Sequence, residues 1–170
     1  ALMAAAQKLY EQLPIKVDTK GMSKEQKERA LDEAGLKHPA DPYMTLLSYY
    51  NSLKELGGSR RIFEDEVYDR IRQYSERDRL VPRIGLFANR QNREPMELTS
   101  RVSTSDVADT KRRLDKPHNS EDSLDLALAT NMISVGLDIS RLGLLVVMGQ
   151  PKTSAVYIQA TSRVGREDTK

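Results

Sequence analysis

The chain contains no cysteine, which excludes disulfides, thiol catalysis and cysteine-based zinc sites. A cysteine-free composition fits a reducing, cytoplasmic setting. No apolar run approaches the ~20 residues needed to cross a bilayer, so no membrane partner is expected. The apolar start, residues 1–6, is followed quickly by charge and reads as the first turns of a helix, not as a signal peptide. The formal net charge is only +2, so no overall basic field demands a polyanionic partner. Of the two histidines, His38 and His118, neither belongs to a motif, and both read as surface residues. Glu64, Asp65 and Glu66 are adjacent, and adjacent helical residues point apart, so they read as a solvated face and not as a metal site. There is no G-x-x-x-x-G-K-[ST] loop to cradle phosphates, and Gly57-Gly58 lacks the G-x-G-x-x-G form.

What remains is an alternating pattern. A chain of 170 residues is one domain by size, large enough for a real core. Leu2, Ala6, Leu9, Tyr10 and Leu13 recur at helical spacing, and Pro14 stops that helix. Ser23-Lys24-Glu25-Gln26 has capping-box form and starts a second helix to about residue 34, closed by Gly35. Residues 1–42 carry no recognisable chemistry and read as a helical extension or linker, leaving 43–170 as the core domain. Residues 43–49 suit a strand, and 51–58 a helical turn closed by Gly57 and Gly58. Ile62, Val67 and Ile71 predict a helix over 59–79, whereas the arginine-rich 80–95 reads as a mobile loop. A short strand at 96–98 precedes a helix at 104–114, capped by Ser103 or Thr104, with Val107, Ala108 and Leu114 inward. Residues 124–129 and 142–148 are apolar runs of the kind that form buried parallel strands. The last helix spans about 154–163, with Val156, Tyr157 and Ile158 toward the sheet. Alternating strands and helices predict a parallel sheet covered on both faces.

In such sheets ligands bind beyond the carboxyl ends of the strands. Thr99-Ser100-Arg101, Thr130-Asn131 and Gly149-Gln150 each follow a predicted strand and should line one edge. Gly149 and Gln150 read as a turn. Thr130 reads as functional, because hydroxyls and backbone N–H groups at a loop suit a sugar-phosphate backbone. In Gln159-Ala160-Thr161-Ser162-Arg163-Val164-Gly165-Arg166, helical spacing would project Gln159, Arg163 and Arg166 from one side. Arginine gives a fixed, multidentate grip on phosphate. A salt-bridging surface pair is the bland alternative, and Gly165 between the two arginines argues against it.

The octapeptide resembles motif VI (Q-x-x-x-R-x-G-R) of superfamily 2 (DEAD/DEAH-like) helicases. Residues 126–139, with Ala129-Thr130 and Gly136-Leu137-Asp138, look like motif V of the same superfamily, and 51–58 like motif IV. The order and spacing match the C-terminal, second RecA-like domain over residues 43–168. Closest in appearance are helicases of the DISARM antiphage-defence type, on residues 50–57, 131–138, 149–153 and 157–166.

The resemblance implies an α/β, parallel-sheet, P-loop NTPase-like helicase C-terminal domain with a helical N-terminal extension. It implies that Arg163 and Arg166 are fingers reaching the γ-phosphate of ATP, with Gln159 orienting water or touching that phosphate. Gly136 and Asp138 would help line the ATP site, and Thr99, Ser100, Arg101, Thr130 and Asn131 would touch the nucleic-acid backbone. ATP and its Mg2+ would be held by a first RecA-like domain of a longer parent chain, and the fragment alone should not hydrolyse ATP. Single- or double-stranded nucleic acid, DNA rather than RNA, is the expected partner. Position 160 is Ala where many relatives carry Arg, which removes one phosphate contact. The rival readings are a catalytically silent docking module with the same fold and, last, a nucleotide-binding α/β domain of another kind.

Overall fold

The computed structural model describes residues 1–76, 85–130 and 139–165. Its first two helices are α1 (Leu2–Gln12) and α2 (Lys24–Leu36), followed by a 3-10 turn at Asp41–Tyr43. Then come β1 (Leu46–Tyr50), α3 (Leu53–Ile62), a π-helical segment at Phe63–Val67 and α4 (Tyr68–Arg72). A second 3-10 turn, Tyr74–Glu76, precedes β2 (Met96–Leu98). The remaining elements are α5 (Thr104–Leu114), β3 (Leu126–Ala129), β4 (Leu144–Met148) and α6 (Ser154–Thr161). The sheet order is β2-β3-β1-β4, and every pairing is parallel.

Alternation along the strands sorts the core into two layers. Leu47, Tyr49, Leu98, Ala127 and Ala129 meet Leu114 and Ala160 of α5 and α6, with Val107 and Val156 packed alongside. Leu46, Tyr50, Leu126, Leu128 and Leu144 turn to the other face, where they meet Leu56 of α3, Phe63 and Met3. The sheet is therefore covered on both sides, as the leucine-rich strands require.

Caps begin most of the helices. The Ser23 hydroxyl accepts from the Gln26 N–H while the Gln26 side chain accepts from the Ser23 N–H, a full capping box. Ser52, Ser103 and Thr153 cap α3, α5 and α6 through their hydroxyls.

Several expectations need correction. The α3 helix does not close at Gly57-Gly58 but runs through them to Ile62, because buried Leu56 and half-buried Phe63 anchor it from both sides. In α5, Ala108 is exposed, and Thr110 is buried beside Leu114. In α6, Tyr157 and Ile158 are exposed, and Val156 and Ala160, four apart, face the sheet. The described part of the expected mobile loop, 85–95, has no regular structure but is held in place. The Arg90 N–H donates to Ile71 O, the Ala88 N–H donates to Ala4 O, and Arg90 is buried against Asp125.

The histidines are not surface residues either. His38 is buried: its Nδ1 accepts from the Ala40 N–H at 3.1 Å and its Nε2 sits 2.8 Å from Leu13 O. Tyr10 lies against both His38 and His118, with ring centroids 4.3 and 5.1 Å away. These contacts, with Lys116–Asp32 at 2.6 Å, fasten the N-terminal helices to the sheet domain.

Candidate functional site

At the carboxyl ends of the strands the chain brings together Asn51, Thr99, Thr130 and Gly149. The Thr130 N–H donates to Leu98 O, so the turns after β2 and β3 are neighbours. The Asn51 amide donates to Met148 O at 3.3 Å and Gln150 O at 3.2 Å, joining the ends of β1 and β4. Gly149 adopts a φ of 75°, and a Cβ there would also crowd the Asn51 amide at 3.2 Å.

Thr99 departs from expectation. It is 0% exposed, so its side chain offers nothing to a ligand at the surface; its carbonyl accepts from the Val102 N–H and tightens the turn. Ser100 and Arg101 are exposed, and Thr130 is buried, at 8% exposure.

Arg101 is held by Glu97. Its Nε donates to Oε2 at 2.8 Å and its Nη2 to Oε1 at 2.6 Å. Arg60 of α3 donates through Nη1 to the same Oε1 at 2.9 Å and through Nε to Glu64 at 2.8 Å. Burial pushes the Glu97 carboxyl up, but the bonds from Arg101 and Arg60 outweigh it and hold the group below the usual carboxylate range. Sequence reasoning missed Glu97 and Arg60. A charged residue inside the three-residue strand Met96–Leu98, four positions before an arginine, was the available signal.

The Arg163 segment lies elsewhere. Helix α6 ends at Thr161, so Gln159 is helical and Arg163 is not, and the expected common helical face does not extend to Arg163. Gly165 turns the chain with a φ of 68°. Its N–H donates to Leu142 O at 2.7 Å, just ahead of β4, and Val164 packs into the core. This anchors the turn at the amino end of β4, opposite the edge that carries Ser100, Arg101 and Thr130. Gln159 is exposed and Arg163 half-buried. Asn131, Gly136, Asp138 and Arg166 lie outside the described residues.

The family described as Helicase conserved C-terminal domain matches residues 62–168. The chain is 44% identical over 139 residues to the DISARM protein DrmA of Bacillus paralicheniformis, covering 82% of this chain and 12% of that protein. It thus spans about an eighth of that relative's length. Among solved structures it is similar to Mss116p DEAD-box helicase domain 2 bound to an RNA duplex. That match has a TM-score of 0.50 and 12% identity, and covers 98% of this chain and 48% of that one. The fold is that of a RecA-like domain, and the chain belongs to the helicase conserved C-terminal domain family. Its 44% identity over 139 residues makes the DISARM protein DrmA a relative of this chain.

Proposed function

We propose that this chain is the second motor domain of an ATP-dependent nucleic-acid helicase or translocase that acts in antiphage defence in the cytoplasm. The observation that carries this reading is the separation of two sets of groups on one rigid sheet. Ser100, Arg101 and Thr130 lie at the carboxyl edge, where hydroxyls, backbone N–H groups and a guanidinium suit a sugar-phosphate backbone, gripped without reading sequence. Asn131, next in sequence after Thr130, would touch the same backbone. The Arg163 turn, tied to Leu142 at the other end of β4, suits a nucleotide held by a neighbouring domain.

ATP with its Mg2+ would sit on the first RecA-like domain of the parent chain, and its hydrolysis supplies the free energy of movement. The described residues fit the phosphate-facing half of such a site. They bring the Arg163 guanidinium. Arg163 and Arg166 would stabilise charge on the equatorial oxygens in the transition state, an effect worth roughly 10³–10⁵ in rate for such arginines. Gln159 would orient the attacking water, and Gly136 and Asp138 would line the nucleotide. Relative movement of two grips as the domains close and open gives translocation. DNA is the proposed substrate.

The test is hydrolysis of ATP by the full-length parent protein with and without single-stranded DNA or RNA, beside Arg163→Ala and Arg166→Ala. Stimulated hydrolysis that collapses in both variants supports the motor. Absence of hydrolysis under every condition favours a silent docking module of the same fold, and activity indifferent to both substitutions removes the finger assignment.

A further inference from the structure

Glu97 sits in the middle of β2 with its side chain 8% exposed, and Arg101 lies in the turn beyond with its side chain 48% exposed. A carboxylate that far from water is costly unless it is paired, and here two guanidiniums share it. The sharing is unequal. Arg101 gives Glu97 two N–H bonds from one side of its fork, and both go to that one carboxylate. Arg60 divides itself between Glu97 and Glu64. A guanidinium has five N–H donors. Arg101 therefore keeps three of them uncommitted, one residue after exposed Ser100 and at the same end of the sheet as Thr130, which lies just past β3 and donates its N–H to Leu98 O. Because Oε1 is also bonded to Arg60, Glu97 does not fully neutralise Arg101.

The geometry points to Glu97 as a positioning residue: it fixes Arg101 so that the outer edge of that guanidinium meets one phosphate of a bound single strand. This rests on the nucleic-acid reading of the carboxyl edge given above. A side chain already ordered loses less entropy on binding than a free arginine would. The π-helical segment that begins three residues after Arg60 carries Glu64, the second carboxylate that Arg60 bonds.

The experiment is fluorescence anisotropy of labelled oligo-dT and oligo-U with the full-length parent protein across a salt series, for wild type, Arg101→Ala, Glu97→Gln and Glu97→Asp. Loss of one phosphate contact lowers the salt slope by about 0.7 on a single strand. Arg101→Ala should show that loss with affinity down about fivefold. Glu97→Gln should keep the wild-type slope, because the cation remains, but bind more weakly, and Glu97→Asp should recover part of the affinity. An Arg101→Ala slope equal to wild type, or tighter binding by Glu97→Gln, overturns the proposal: in the second case Glu97 competes with phosphate instead of serving it. Arg101→Ala is a surface change and decides the matter even where Glu97→Gln does not fold. Wild type that binds neither oligonucleotide overturns the nucleic-acid reading itself, and is distinct from wild type that binds with an Arg101-independent slope.

Discussion

Arg141 and Asp41 form an ion pair closed off from solvent, with Nη1 3.0 Å from Oδ2. Around it three distant segments meet. Arg141 also donates to Leu114 O at 2.6 Å at the end of α5 and to the Thr45 hydroxyl at 2.8 Å ahead of β1. The Asp41 carboxylate accepts a further bond from the His118 N–H at 2.7 Å. Arg141→Ala would leave a buried carboxylate without its cation, which costs about 3–5 kcal/mol. Arg141→Lys should recover only part of this, since an ammonium cannot span a carboxylate, a carbonyl and a hydroxyl from one planar fork. Urea unfolding followed by circular dichroism reads both. A loss below about 1 kcal/mol in the alanine variant would mean the site relaxes or floods.

A second buried pair sets the acid limit of the domain. Burial pushes the Asp125 carboxyl up, but the His118 ring 3.5 Å away, the Arg90 charge and the Arg93 backbone bond prevail and hold it at about 2, against 3.8 unperturbed. A folded pKa below the unfolded one means the stabilisation is present above about 4 and is lost as pH falls toward 2. The shift corresponds to roughly 2 kcal/mol. Stability measured between pH 5 and pH 2 should fall in wild type. In Asp125→Asn it should start lower and fall less over that window; an identical slope in the two would assign the acid sensitivity to other carboxylates.

How much of this was readable in advance depends on whether the determining force was local. The apolar runs at 124–129 and 142–148, the Ser23 capping box and a cap at Ser103 or Thr104 all follow from short-range pattern; the structure has strands at Leu126–Ala129 and Leu144–Met148, the capping box, and Ser103 as the cap. The α6 face was misread because Tyr157 and Ile158 are the larger apolar side chains. The signal that decides was the four-residue spacing of Val156, Ala160 and Val164, which α6 and the turn after it place against the core. The histidines were misread because nothing near them in sequence reveals that Tyr10, more than twenty-five residues before the first, packs on both. Arg101 was visible as an exposed cation, but its partner Glu97 was hidden inside a strand.

Glycines give a paired test of local against tertiary control. A Cβ at Gly35 would fall 1.9 Å from Asn119 Oδ1 and 2.9 Å from Pro117 Cβ, where α2 meets the loop before β3. The Asn119 amide donates there to Leu31 O. Gly35→Ala should therefore destabilise the chain by about 1–3 kcal/mol despite alanine's better helix propensity. Gly57, inside α3, has nothing within 4 Å of its virtual Cβ. Gly57→Ala should stabilise by roughly 0.5–1 kcal/mol. Thermal unfolding of the two variants should shift in opposite directions; shifts of the same sign would show that the α2 contact is looser than its geometry.

The two ends of the sheet should also be separable by mutation. Gly165 holds the left-handed turn after Arg163 at a φ of 68°, and its N–H is bonded to Leu142 O. Gly165→Ala meets open space but a strained backbone, costing about 1–2 kcal/mol if the turn is kept. If Arg163 serves ATP, relaxing that turn displaces it. Hydrolysis by the parent protein should then fall while oligonucleotide affinity in the absence of ATP stays within about twofold, since Ser100, Arg101 and Thr130 are at the far end of the strands. Arg101→Ala should do the reverse, weakening nucleic-acid binding and sparing hydrolysis at saturating nucleic acid. Equal losses of both activities in both variants would mean that the two ends do not work as separate sites.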